Sequence, residues 1–236
     1  CGDGRISADI SKMVPMGLVL GTDISSLMIS YATERHVPSS HKNLGFMPMD
    51  AESNIFSNQF DIVVSFCCLH WVKDRLSALK GIKKALKHDG KAILLVPLRY
   101  DERYTAIENV TSTNKWNPYF QNFTNPHQFF SVDQYRNLLN TSNLIPSIFS
   151  QTVMEYFFDT KENMEDFLSA WLPHIHEIPN NLQSDFMKEI GNEFLKLVPQ
   201  TSENKVKMPL QMLQVHASPR IFYPQEKISS KSKSYI

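Results

Sequence analysis

No stretch of this chain approaches the ~18 consecutive apolar residues that a membrane-spanning helix needs, and no secretory leader is visible. Cysteine is scarce, with Cys1, Cys67 and Cys68 the only three in 236 residues. Cys67 and Cys68 are adjacent, and neighbouring strand residues point to opposite faces, so they are poor disulfide partners. Without histidines spaced to join them, three cysteines make no zinc site. A reducing, cytosolic setting is therefore expected. An excess of either charge is also lacking: 24 basic residues balance 24 acidic ones, and the pI is near 7.2. Such a chain has no global electrostatic reason to bind nucleic acid or an anionic membrane. Internal repeats are absent. Sequons at Asn109, Asn122 and Asn140 read as chance without a leader.

Hydrophobic residues make up 42% of the chain, enough for a core, and the length suits one α/β domain with an insertion. Gly17–Thr22 is a short apolar run closed by Asp23. Ser25–Arg35 has helical spacing, with Ser25 or Ser26 able to cap it. Asn43–Met49 is a weaker strand candidate. Phe60–Cys67 is nearly all apolar, as in parallel strands buried on both faces. Asp74–Leu86 is helical, the turn His88-Asp89-Gly90 ends it, and Lys91–Val96 is the next strand. This alternation predicts a doubly wound, mostly parallel sheet. Pro97–Pro126 is aromatic and irregular, with Tyr100, Tyr104, Trp116, Tyr119, Phe120 and Phe123. Val132–Leu139 reads as a helix and Ile145–Phe158 as a long strand. Lys161–Leu172 and Gln183–Leu197 show helical periodicity, and Leu210–Ala217 alternates as a final strand. The Ser/Lys-rich tail Glu226–Ile236 is expected to be disordered.

Four features carry chemistry. Cys1-Gly2-Asp3-Gly4 is a tight glycine turn of the kind found where doubly wound sheets bind cofactors; alone it also reads as a plain turn. Asp23 ends the second strand about twenty residues later, where a carboxylate accepts from ribose hydroxyls, although it also suits the cap of the next helix. Asp50-Ala51 follows the third strand candidate, where an Asp can accept from the exocyclic amine of adenine or be a solvated loop residue. His70 and Trp71 lie in Ser65–Asp74 at the end of the fourth strand, as packing or as catalytic candidates. No metal site is expected.

Together these resemble class I methyltransferases that use S-adenosylmethionine (SAM). CGDG resembles their glycine motif, GTDIS the ribose segment, MDA the adenine segment, FDIVVSFCCLHWV the fourth-strand segment and HDGKAILLV the fifth strand. The resemblance implies a Rossmann-like fold with SAM held by Cys1, Gly2, Gly4, Asp23, Ile24, Asp50, Ala51 and Phe66. The glycine pattern continues as Arg5-Ile6-Ser7 without a third glycine, unlike nicotinamide dehydrogenases. The family places an apolar strand before the glycine motif. The chain begins with Cys1 at that motif, so it is expected to be a fragment lacking the first strand; a lipoprotein-type terminal cysteine is the alternative.

SFCCLHWV, NKWNPYF and FLSAWLPHIHEIPNNLQSDFMKEI are similar to juvenile hormone acid and trans-aconitate methyltransferases, with malonyl-carrier-protein methyltransferases as close competitors. That group implies a small organic acid methylated on its carboxylate, and a helical lid between the last two strands. The expected organisation is a SAM domain over 1–158, a lid over 159–207, an antiparallel final strand over 208–225 and a tail over 226–236. Trp116, Tyr119, Phe120 and Trp171 are candidates for an apolar acceptor wall, or for core packing. Cys67 and Cys68, in an apolar run that raises thiol pKa, are unfavoured as nucleophiles. The rivals are a methyltransferase for a nucleic acid or protein acceptor, against which the neutral charge speaks, and an inactive SAM-binding scaffold.

Overall fold

The structure is a computed structural model that describes residues 1–36, 42–98 and 101–220. Tyr100 and the tail Glu226–Ile236 lie outside the described residues. Helix α1 (Arg5–Met13) follows the glycine turn, and strand β1 (Val19–Asp23), helix α2 (Ser26–His36) and strand β2 (Leu44–Pro48) come next. Gly4, at φ 79°, sits where a Cβ would meet Ala32 and the Phe46 ring at 2.7 Å; at Gly21 a Cβ would meet the same ring at 2.6 Å. The two glycines thus let α1, β1 and α2 close around Phe46. The Asn43 amide donates to the carbonyls of Ser11, Val14 and Gly17, binding the end of α1 to the start of β1.

Strand β3 (Phe60–Phe66), helix α3 (Arg75–Ala85) and strand β4 (Leu86–Pro97) continue the alternation. Asp74 caps α3 through the Ser77 N–H. The residues His88-Asp89-Gly90 do not separate two elements as expected. Leu86 pairs with Phe60 and Lys91 with Ile62, so the four residues between bulge out of the ladder. Next come α4 (Glu102–Thr111), α5 (Val132–Thr141), β5 (Leu144–Phe158), α6 (Lys161–Ser169), α7 (Asn180–Leu197) and β6 (Val206–Pro219). Helix α4 corrects the expectation of an irregular Pro97–Pro126: Asp101 caps it, and Tyr104, Ile107 and Val110 recur along its buried face. The final strand begins just inside the expected insertion.

β1 and β2 pair in parallel, as do β3 and β4, while β6 runs antiparallel between β4 and β5. The strands form two sheets, β1-β2 and β3-β4-β6-β5. Among the described residues no strand joins β1 to β3. Burial of β3 on both faces is therefore not realised: Ile62 is 55% and Val64 39% exposed, because no described element covers that face. One core lies between α3, α5 and the sheet, with Leu79, Leu94, Leu139 and Val215 in it. A second joins α4, α6 and α7 to the tip of the β5–β6 hairpin. β6 serves both. Val206, Met208, Leu210 and Met212 bury one face in the second core, and Leu213, Val215 and Ala217 bury the opposite face in the first.

Candidate active site

The carboxyl ends of β1, β2 and β3 carry the expected cofactor residues. Asp23 Oδ2 accepts from the main-chain nitrogens of Cys1 and Gly2, each at 2.9 Å, and its Oδ1 accepts from Ser25 N–H at 3.0 Å. One carboxylate therefore pins the glycine turn and opens α2. Burial raises its pKa, the bonds from Ser25 and Gly2 lower it, and Asp23 lies below the ordinary 3.8. Gly2, at φ 57°, has no heavy atom within 4 Å of where a Cβ would lie. Ile24 beside it is exposed. Asp50 caps the 3-10 turn Ala51–Ser53 through Glu52 N–H. Met49 N–H donates to Asp23 O at 2.9 Å, fixing one strand end on the other. Glu52 Oε1 accepts from Lys73 and Asp74 N–H at 3.0 Å, tying this edge to the start of α3.

After the half-buried Phe66, Cys67 takes the left-handed conformation at φ 50° and turns the chain into the 3-10 turn Leu69–Trp71. That turn buries Leu69 and His70 and leaves Trp71 43% exposed. Arg75 holds it in place. The buried guanidinium donates to Leu69 O at 2.8 Å, His70 O at 3.2 Å and the Gln128 carbonyl, and lies 4.0 Å over the Phe130 ring. Gln128 N–H donates to His70 O. The loop before α5 is thereby laid along the end of β3. Desolvation by the surrounding groups raises the thiol pKa of both Cys67 and Cys68, although both residues keep an exposed face.

This loop brings His127 to 5.0 Å from His70, 3.9 Å from Trp71 (edge to face) and 5.8 Å from Trp171, between ring centroids. Phe129 lies beside both histidines and packs on Tyr104. Arg103 is locked to Asp101 at 2.6 Å and lies over Tyr104 and Trp171. His174 packs on Phe123 and Phe120. Nδ1 of His70, Nδ1 of His174 and both ring nitrogens of His127 are buried without a hydrogen-bond partner. All three imidazoles are uncharged at neutral pH. Burial first, then neighbouring His127, Arg75 and Arg103, pulls His70 down to about 3. Burial first, then His174 and Arg103, pulls His127 to about 4. Burial pulls His174 to about 4.

His70, Trp71 and Trp171 thus join one aromatic cluster around His127. Trp116 stands apart: it is fully buried, its indole N–H donates to Glu189 Oε2 at 2.7 Å, and it packs on Phe186 in the second core. Tyr119 and Phe120 are half-buried beside it. Sequence reading missed Arg75, Asp101, Arg103, His127 and His174. The cap-and-periodicity signal of α4 points to Asp101 and Arg103, whereas isolated histidines give no signal.

Residues 1–94 match the Methyltransferase domain family. The chain is 28% identical over 198 residues to protein 235L of Invertebrate iridescent virus 6, covering 84% of this chain and 73% of that one. It is 27% identical over 212 residues to juvenile hormone acid O-methyltransferase of Drosophila melanogaster, covering 86% and 71%. The fold matches the crystal structure of YcgJ from Bacillus subtilis with a TM-score of 0.60 at 16% identity, over 94% of this chain and 89% of that one. The methyltransferase domain match over residues 1–94 and the methyltransferases that are similar over most of the chain support a SAM-dependent methyltransferase, and the likeness to YcgJ shows the shared fold.

Proposed function

We propose that the protein transfers the methyl group of SAM to the carboxylate of a small organic acid with an apolar body. The observation that carries this reading is the aromatic cluster at the end of β3. It gathers Trp71, Tyr104, Phe129 and Trp171 with uncharged imidazoles, and Arg103, paired with Asp101, lies over Tyr104 and Trp171. Two relatives are named juvenile hormone acid O-methyltransferases, from Drosophila melanogaster and, at 24% identity, Bombyx mori.

SAM supplies a methyl group already activated by its sulfonium. The residues at the strand ends fit it. Gly2 leaves open space beside the turn. A carboxylate has about four lone-pair sites, and Asp23 spends three on main-chain nitrogens, leaving one for a ribose hydroxyl. Asp50 and Ala51 at the end of β2 take the adenine, with Cys1, Gly4, Ile24 and Phe66 around the cofactor. An acid is already ionised at neutral pH, so the chain's work is to align its oxygen with the methyl carbon, within about 3–3.5 Å, and to exclude water. Trp71 and Trp171 wall the acceptor side. The helices of 159–207 act as its lid, with Trp171 just beyond α6.

The test is incubation with isotope-labelled SAM and a panel of straight-chain, branched and aryl monocarboxylates, alongside a malonyl-carrier-protein thioester, read by mass spectrometry for labelled methyl ester. Ester on an apolar monocarboxylate is the expected result. Label on the thioester alone, or on none of them, refutes the reading.

A further inference from the structure

His127 is 5% exposed, yet neither of its ring nitrogens has a hydrogen-bond partner. A neutral imidazole always carries one N–H donor and one bare acceptor. Burying both unpaired costs free energy that packing alone does not recover. The loop is fixed by other means: Arg75 and the His70 carbonyl hold its backbone, and Asn125 Oδ1 accepts from His127 N–H. The ring is thus held by its neighbours and left with two polar atoms to offer.

Resting on the carboxylate-methylating reading above, we propose that His127 is the group that receives the acceptor's carboxylate, taking up a proton as the acid binds and releasing it once the acid is an ester. The groups that face it are consistent with this. From the turn after β3 come His70 and Trp71, and from α6 and the turn after it come Trp171 and His174. His174 and Arg103, at the start of α4, push against an imidazolium, Arg103 softened by its contact with Asp101. None of these offers a carboxylate to the ring, so the imidazole stays neutral until a ligand brings one. An arriving carboxylate within hydrogen-bond distance favours the charged ring by about 1–3 pKa units. Starting from about 4, the bound ring then titrates between about 5 and 7.

The charges balance through the cycle. One proton and the carboxylate enter together. One carboxylate oxygen is held by the ring N–H, and the other forms the new bond to the methyl carbon while the pair of the broken sulfur–carbon bond stays on sulfur. The ester is neutral, the imidazolium loses its partner and the proton departs. Binding therefore favours the acid over the ester, which assists release of product.

The experiment uses whichever monocarboxylate of the panel the protein methylates, titrated calorimetrically into protein saturated with S-adenosylhomocysteine, in phosphate and in Tris, from pH 8 to pH 6. The alcohol of the same chain length is the control. The expected result is proton uptake that grows as pH falls, with several-fold tighter acid binding at pH 6 than at pH 8, and neither effect for the alcohol. In His127→Gln the acid should bind about tenfold more weakly with no proton uptake, while the alcohol binds as before. His70→Gln and His174→Gln should keep the uptake. If the wild-type protein methylates the acid but binds it without proton uptake, the inference fails and the carboxylate reading stands. An unchanged affinity in His127→Gln has the same meaning. If no acid is methylated, the carboxylate reading itself fails and the inference with it. The wild-type proton count decides the matter even if a variant does not fold.

Discussion

Replacing Asp23 separates two tasks that one carboxylate performs. Asp23→Asn can keep its amide oxygen on Ser25 N–H but turns an NH2 toward the nitrogens of Gly2 and Cys1, donor against donor. Hydrogen bonds to charged groups are worth about 1.5–3 kcal/mol. Gly2 is exposed and Asp23 partly so, so water replaces much of what the turn loses, leaving about 1 kcal/mol of lost order there. Loss of the proposed ribose contact adds about 1.5–3 kcal/mol. SAM binding measured by calorimetry should weaken about ten- to a hundredfold, while the melting temperature falls little. Asp23→Ala should show the same loss of SAM affinity plus about 1 kcal/mol of stability, since the start of α2 also loses its acceptor. The pH dependence follows from the sign of the shift. The folded pKa lies below 3.8, so the stabilisation is present above 3.8 and is lost as pH falls through the lower, folded value. SAM affinity should be flat from pH 8 to pH 5. A dissociation constant within twofold of wild type in Asp23→Asn would refute the ribose role and leave Asp23 as a cap and loop clamp.

Arg75→Met should lower stability by about 3 kcal/mol or more, because the carbonyls of Leu69 and Gln128 lose their buried donor; a denaturation midpoint like that of wild type would count against the clamp. Gly191→Ala should cost about 1–3 kcal/mol by overpacking, since the new Cβ would lie 2.1 Å from Glu165 Oε1 and push that side chain off Lys161; an unshifted thermal melt would contradict it. Acid should destabilise the protein well before its carboxylates protonate. His70, His127 and His174 have folded values of about 3, 4 and 4, below the ordinary 6.5, so the unfolded chain binds more protons and stability drops as pH falls below 6.5. The slope should approach about 1 kcal/mol per histidine per pH unit after allowance for partial solvation, and a urea midpoint unchanged from pH 7 to pH 5.5 would refute the burial of these rings. Trp171→Ala should raise the acceptor's KM with SAM affinity unchanged within a few-fold; equal losses for both ligands would remove Trp171 from the acceptor wall.

The strand ends were legible because the physics there is local. A glycine turn, an Asp closing an apolar run and a second Asp after the next run announce themselves within a few residues; the two Asp lie at the ends of β1 and β2, and Asp23 holds the glycine turn beside them. The dual use of Asp23 was open from sequence for the same reason, since helix capping and ligand binding ask for the same acceptor. The aromatic cluster was only half legible. His70 and Trp71 follow a strand that could be recognised, but His127 owes its place to Arg75, more than fifty residues away in the chain, which reaches across to the Gln128 carbonyl. No periodicity encodes such a long-range tie. Trp116 shows the opposite difficulty: aromatic density alone does not tell a pocket wall from a core, and what places it in the core is Glu189 on α7, an acceptor for its N–H.

The two halves of the proposed site stand on different sheets, and this decides what links them. The cofactor side rests on β1 and β2, bound to each other by Asp23 O and Met49 N–H. The proposed acceptor side rests on β3 and on a core built around the tip of the β5–β6 hairpin. The edge after β2 and helix α3 meet where Glu52 accepts from Lys73 and Asp74, and where Gly81 of α3 lies so close to Asn54 that a Cβ would meet it at 2.7 Å. The acceptor side is joined to the sheet differently. β6 buries one face up to Met212 and the other from Leu213 onward, so each core holds one end of the same strand. A motion of α6 and α7 as a rigid lid would have to drag β6 with them, or break the ladder that pairs it with β5 along almost its whole length. Closure of the proposed lid is therefore cheapest at the ends of these helices, where Trp171 packs near His127 and the turn Pro173–Glu177 brings His174 onto Phe123. One side chain of that turn, His174, also keeps a buried ring nitrogen without a partner.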